Sequence, residues 1–169
     1  MMKISEFEHV KKYKFLGTDE NTNDVRLREL DDLAQYLPDW GLNVELGVYN
    51  GVTIGCLATA RPDLEFHGFD SFEGLPEDWD MGQKGVKKEA FDRKGELPEV
   101  PDNVKLYKGW FNETLEPFLG ETLTPISFLH VDCDIYSSTD YALNLLNDYI
   151  MRGTIIRFDE LCCWRHVFG

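Results

Sequence analysis

Cysteine is scarce in this chain, and none of its cysteines is spaced as CxxC. Of the four, Cys162 and Cys163 are adjacent, a poor disulfide geometry, while Cys56 and Cys133 stand alone. This usage fits a reducing, cytoplasmic compartment and excludes a secreted disulfide scaffold or a zinc ribbon. Basic residues are also few: 17 Lys and Arg stand against 31 Asp and Glu, a net charge of −14. That balance excludes broad attraction to nucleic acid or an anionic membrane. No apolar run approaches the ~18 residues of a membrane span. The start, Met1-Met2-Lys3-Ile4-Ser5-Glu6, lacks the apolar centre of a signal peptide. There is no internal repeat and no low-complexity tract. What remains is a globular balance, 43% hydrophobic and 28% charged, over 169 residues. By the prior of ~150 residues per domain, residues 1–169 read as a single domain with room for a sizeable core.

Residues 1–40 form a helical lead-in. Val25, Leu27, Leu30, Leu33, Ala34 and Leu37 recur at helical spacing until Pro38 stops the helix. Such an element packs against an α/β core or serves an oligomer contact, which leaves room for a homodimer. From Leu42 strands and helices alternate. Strands are expected at 42–46, 65–69, 104–107, 126–131 and 154–158. Helices are expected near 52–61, 112–119 and 139–151, the last with Ser138 as N-cap. The alternation predicts an α/β three-layer sandwich around a mostly parallel sheet in doubly wound order, strand one central. Residues 74–103 break the rhythm with four glycines and three prolines among many charges, and a short helix is expected around 86–93. A 30-residue insertion of this kind reads as a lid. Its Lys84, Lys87 and Lys88 could meet an anionic group but more simply form a solvated face.

Acidic residues collect at the strand ends. Glu45 lies near the end of strand one and Asp70 follows strand two; Asp132 and Asp134 follow strand four, and Asp159 and Glu160 follow strand five. Any one of them is an ordinary turn residue. Six carboxylates on one edge of a parallel sheet, where ligands bind, point instead to a site. In the turn Glu45-Leu46-Gly47-Val48-Tyr49-Asn50-Gly51, a glycine at the strand end lets backbone approach a ligand. The glycines are not spaced as GxGxxG. Asp70 comes 25 residues after Glu45, the separation of a carboxylate that accepts from ribose hydroxyls. Together these indicate an adenosine-containing cofactor without naming it.

Glu45-x-Gly47-x-x-x-Gly51 resembles the first motif of class I S-adenosylmethionine-dependent methyltransferases. Gly68-Phe69-Asp70-Ser71-Phe72-Glu73-Gly74-Leu75-Pro76-Glu77 is more specific and resembles the macrocin and mycinamicin O-methyltransferase (TylF/MycF) family. Gly109-Trp110-Phe111, His130-Val131-Asp132-Cys133-Asp134 and Gly153 to Glu160 resemble the same family in the same order, over residues 42–165. The resemblance implies that Glu45, Gly47 and Gly51 frame the methionine end of S-adenosylmethionine. It implies that Asp70, with Ser71 beside it, binds the ribose, and that Gly109 and Trp110 lie by the adenine. It further implies a divalent cation such as Mg²⁺ on Asp132, Asp159 and Glu160, holding a hydroxyl of a sugar or small secondary metabolite. Asp134 is the candidate base, so the catalytic pair is Asp132 and Asp134. His130 is a weaker base, more simply read as a packed core histidine, and Cys133 as a small buried residue.

Members of that family continue past strand five into an antiparallel strand pair, whereas this sequence runs nine residues beyond Glu160. The expectation is therefore a sheet without its C-terminal strands and an incomplete substrate pocket. Three rivals stand beside the methyltransferase. Asp132-Cys133-Asp134 also resembles the metal-binding turn of nucleotide-sugar glycosyltransferases, which leaves the Glu45–Gly51 turn unexplained. A nicotinamide-dependent oxidoreductase wants a tighter glycine pattern. A remnant that binds cofactor without turnover is the third.

Overall fold

A computed structural model describes residues 20–80 and 85–159. The elements run α1 (Glu20–Ala34), β1 (Leu42–Leu46), α2 (Val52–Ala60), β2 (Phe66–Asp70), β3 (Val104–Lys108), α3 (Phe111–Glu121), β4 (Ile126–Val131), α4 (Tyr136–Leu146) and β5 (Ile150–Phe158). The strands form one sheet in the order β3-β2-β1-β4-β5, and every pairing is parallel. The expected doubly wound α/β sandwich, with strand one central, is what the chain forms.

Burial explains the layering. All six residues of β4 are buried, as are four of five in β1 and in β2, which fits strands covered on both faces. Side-chain alternation sends Phe66 and Phe128 to one face, where they meet Ile54 and Leu57 of α2 and Leu27 and Leu30 of α1. Phe69, Leu129 and Val131 go to the other face, against Leu115 and Phe118 of α3 and Ala142 and Leu146 of α4. Helix α2 is buried from Val52 to Ala58 because α1 covers its outer side. No helix among the described residues is long and apolar enough to cross a membrane.

Three local expectations need correction. Helix α4 starts at Tyr136, with extended Ile135 as N-cap and no side-chain cap, so Ser138 lies inside the first turn. The helix ends at Leu146, where residues 147–149 tighten into a 3₁₀ turn, and Ile150 pairs with Ile126 to lengthen β5. The apolar run at 149–151 fits either period, and strand pairing decides it. The expected helix at 86–93 does not form. Phe91 and Lys94 take left-handed φ of 63° and 56°, and Val86 and Asp92 bridge antiparallel to Trp79 and Glu73. The insertion therefore begins as a folded-back arm.

Candidate active site

The strand ends meet at Gly47. Its φ is +86°, and a Cβ added there would lie 1.9 Å from the Asp132 carbonyl oxygen, so only glycine lets β1 and β4 come this close. Gly47 N–H donates to Phe69 C=O, and Asp132 N–H donates to Leu46 C=O, both at 2.9 Å. The chain then turns through Val48–Gly51 into α2, with Gly51 as its left-handed N-cap. Asp70 secures that turn. One carboxylate oxygen accepts from Val48 and Tyr49 N–H at 2.7 Å each, and the other accepts from Phe72 N–H at 2.7 Å. The Ser71 hydroxyl donates to Gly74 C=O and accepts from Glu73 N–H, fixing the exit from β2. Gly109 N–H donates to Asp70 C=O, and Trp110 opens α3 with its N–H directed at the Glu113 carboxylate, 3.2 Å away.

Beneath this turn lies a chain of titratable groups, buried at Glu45 and His130 and half-buried at Arg157 and Asp159. Arg157 donates through Nη1 to His130 Nε2 and through Nη2 to Asp159 Oδ1 at 3.3 Å. Because Nε2 accepts, the His130 proton sits on Nδ1 and is donated to Glu45 Oε2 at 3.0 Å. Burial pushes His130 down to about 4, against the opposing pull of the Asp132 charge. Both ring nitrogens are engaged and the ring is neutral, so His130 serves neither as a base nor as a metal ligand. Burial also raises Glu45 well above the carboxylate range, although the Arg157 charge and a backbone hydrogen bond from Ile54 pull the other way.

Asp134 is held differently. It sits at φ +59°, a strained conformation for a non-glycine residue, at the centre of a tight turn in which Ile135 N–H reaches Cys133 C=O. Burial, then the charges of Asp132, Asp159 and Asp70, push its carboxyl up to about 7. Donor atoms of His130, Asp132 and Asp159 lie within 4.8 Å of one another. With His130 engaged elsewhere, the two carboxylates are the hard-oxygen pair that remains, a set suited to a cation that keeps several waters.

These groups surround one cavity of about 520 Å³ at the carboxyl edge of the sheet. Glu45, Gly47, Asp70, Ser71, Gly109 and Trp110 line it on the β1–β2–β3 side, and Asp132, Asp134 and Asp159 on the β4–β5 side. Gly51 is not in the lining; it faces Pro98 and Val100 of the insertion. Glu160, expected as a metal ligand, and Lys84 lie outside the described residues. Lys87 pairs with Asp78 at 2.6 Å on the surface. Sequence reasoning missed Tyr49 and Phe91, which meet edge to face at 5.3 Å, and Trp79, all lining the cavity. The left-handed Tyr49 and Phe91 carry no local sequence signal, since neither is a glycine or asparagine.

Comparison with known proteins bears on the same residues. The demethyldecarbamoylnovobiocin O-methyltransferase of Streptomyces niveus is 27% identical, over 82% of this chain and 62% of its own. The crystal structure of the calicheamicin methyltransferase CalS11 matches with TM-score 0.70 at 25% identity, covering 85% of this chain and 66% of that one. The apo structure of CalS11, described as a TDP-rhamnose 3′-O-methyltransferase, matches with TM-score 0.62 at 25% identity, over 85% and 65%. This chain thus spans a little under two thirds of the length of these relatives. The family model described as a methyltransferase domain matches residues 44–161, well over half of the sequence, and the chain belongs to that family.

Proposed function

We propose that this chain is the catalytic core of an S-adenosylmethionine-dependent, divalent-metal-assisted O-methyltransferase of the macrocin/mycinamicin type. Its acceptor is a hydroxyl on a sugar or small secondary metabolite. The observation that carries the reading is a cavity with a cofactor-type turn on one side and three carboxylates on the other. Its volume lies within the ~300–1,000 Å³ of small-molecule sites. The relatives named for TDP-rhamnose and for demethyldecarbamoylnovobiocin support the acceptor class. The net charge of −14 supports a small-molecule partner over nucleic acid. The family match disfavours the glycosyltransferase and nicotinamide alternatives.

When bound, S-adenosylmethionine supplies an electrophilic sulfonium methyl, and a divalent cation lowers the pKa of the acceptor hydroxyl. The residues do the rest. Glu45, fixed by His130, faces the methionine end; Asp70 holds the turn beside it and keeps acceptor capacity for a ribose hydroxyl. Trp110 flanks the adenine. Asp132 and Asp159 would hold the cation, and Asp134 would take the proton from the acceptor hydroxyl. Holding the acceptor oxygen near the methyl within this cavity would supply much of the rate by proximity. The residues around 74–103 act as a lid.

The test is transfer of radiolabelled methyl from S-adenosylmethionine to TDP-rhamnose, with Mg²⁺ or with EDTA, in the parent and in Asp132→Ala/Asp159→Ala. Transfer is expected only in the parent with Mg²⁺, while both proteins bind S-adenosylhomocysteine in calorimetry. Equal transfer in EDTA would remove the metal from the mechanism. Absence of S-adenosylhomocysteine binding in the parent would end the methyltransferase reading.

A further inference from the structure

The arm that follows β2 brings one unusual donor to the cavity. It leaves the β2 end at Gly74, whose φ is +89° and where an added Cβ would lie 2.3 Å from the Lys88 carbonyl oxygen. Leu75 N–H donates to Lys88 C=O at 2.7 Å, and further out Trp79 and Val86 exchange both backbone bonds at 2.8 Å. Between these two points Glu77 accepts from the Ser137 hydroxyl at 2.6 Å. Ser137 lies three residues after Asp134, in the first turn of α4. The arm therefore starts at the β2 end and reaches the first turn of α4 at residue 77, two residues before Trp79, which lines the same cavity as Asp132 and Asp134.

The indole Nε1 of Trp79 is closed off from solvent and has no hydrogen-bond partner. An indole N–H can only donate, and a buried donor without an acceptor is unfavourable. In native proteins such groups are few, and each calls for an explanation. Leu75, Pro76 and Phe91 line the cavity from the same insertion, so the donor sits in an apolar, partly aromatic wall. A neutral donor in such a wall fits an uncharged oxygen on a ring that stacks there.

We propose that Trp79 binds the methyl acceptor, donating its indole N–H to a ring or hydroxyl oxygen of a sugar. This rests on the methyl-transfer reading above and adds the recognition of its acceptor. The test uses the full chain, saturated with S-adenosylhomocysteine and Mg²⁺, and its Trp79→Phe variant, which keeps the aromatic ring and removes the donor. In protein labelled with ¹⁵N-tryptophan, the variant assigns the Trp79 indole line. That line is expected to move downfield when the deoxysugar nucleotide of the transfer assay is added to the saturated protein. In turnover, Trp79→Phe is expected to raise the acceptor KM about 3- to 10-fold, the size of one neutral hydrogen bond, with kcat and S-adenosylhomocysteine affinity unchanged. An indole line that moves fully on addition of S-adenosylhomocysteine and not with the sugar would overturn the proposal, because the donor would then face the cofactor. An acceptor KM unchanged in Trp79→Phe would overturn it too. Both failures leave cofactor binding intact, whereas a parent that binds no S-adenosylhomocysteine brings down the methyl-transfer reading and this proposal together.

Discussion

Asp70 is the residue whose replacement separates scaffold from ligand contact. Three backbone N–H groups converge on its carboxylate at 2.7 Å each: Val48 and Tyr49 on one oxygen, Phe72 on the other. A carboxylate offers roughly four acceptor positions, so about one remains, on the oxygen that faces Phe72. Asparagine in the same place keeps one oxygen. It retains most bonds by setting that oxygen toward Val48 and Tyr49, which leaves its amide nitrogen against the Phe72 N–H. One hydrogen bond to a charged group is then lost, at about 1.5–3 kcal/mol, and the other two weaken as the acceptor loses its charge. Asp70→Asn should therefore cost about 3 kcal/mol. For a chain of this length that is a fall of roughly 6–12 °C in Tm. Asp70→Ala removes all three bonds and should cost more, although water reaches part of the vacated turn.

Urea denaturation of the ligand-free protein measures this cost directly. Calorimetry with S-adenosylhomocysteine then reads the ribose contact: the one acceptor position open to a hydroxyl is the one asparagine gives up. On the proposed function the affinity should fall about 10- to 100-fold, the size of a charged hydrogen bond. An Asp70→Asn variant with the urea midpoint of the parent would refute the structural half of this reasoning. A destabilised variant that binds as tightly as the parent would refute the ribose half alone.

Other outcomes follow from the same geometry. Gly47→Ala places a methyl 1.9 Å from the Asp132 carbonyl oxygen on backbone that already has φ +86°, and should cost more than ~3 kcal/mol in urea denaturation; a neutral effect would mean that β1 and β4 can part without penalty. Burial holds His67 below its ordinary value, so its contribution to stability is complete above about pH 6.5 and is lost as pH falls below it. His67→Phe lacks that loss, so the variant should gain on the parent between about pH 7.5 and about pH 5, and a flat difference would contradict the buried neutral imidazole. If the arm closes over ligand, amide exchange at Trp79 and Val86, already paired, should slow further on adding S-adenosylhomocysteine; identical rates would make the arm a rigid wall.

Much of this is legible in the sequence, and the reason is local. Strands β1 and β4 have the bounds expected of them because their apolar runs end at Gly47 and Asp132, residues that close a strand in any context. The convergence of Asp70, Asp132 and Asp159 needed only the inference that the sheet is parallel. What escaped was set by distant partners. His130 pairs with Glu45 across 85 positions, which makes a core histidine the support of a candidate site residue. The arm depends on pairings such as Leu75 with Lys88, where charged and apolar residues carry no strand period. The start of α4 depends on left-handed Asp134, for which the sequence offers a helix-favouring Ser138 as a more ordinary cap.

The topology explains why the chemistry collects where it does. Helix α2, which follows β1, packs with α1 on one face of the sheet, while α4, which follows β4, packs with α3 on the other. The two chains leaving adjacent strands therefore part at the strand ends, and a crevice opens between the Gly47 turn and the Asp132 turn. Helix N-termini favour anions, so carboxylates are favourable on both lips of such a crevice. Yet this arrangement concentrates like charge: Asp134, buried beside Asp132, Asp159 and Asp70, is pushed up to about 7. Arg157 offsets part of that charge from below, through Asp159 and His130, but it does so on the β5 side. The lip where Asp132 and Asp134 face the cavity keeps its repulsion. On the proposed function Asp132 and Asp159 would hold a divalent cation, whose charge would relieve that repulsion and favour the ionised form of Asp134, the form that can accept a proton. The crowding that raises the Asp134 carboxyl would then be what makes the crevice reactive once a cation is held there.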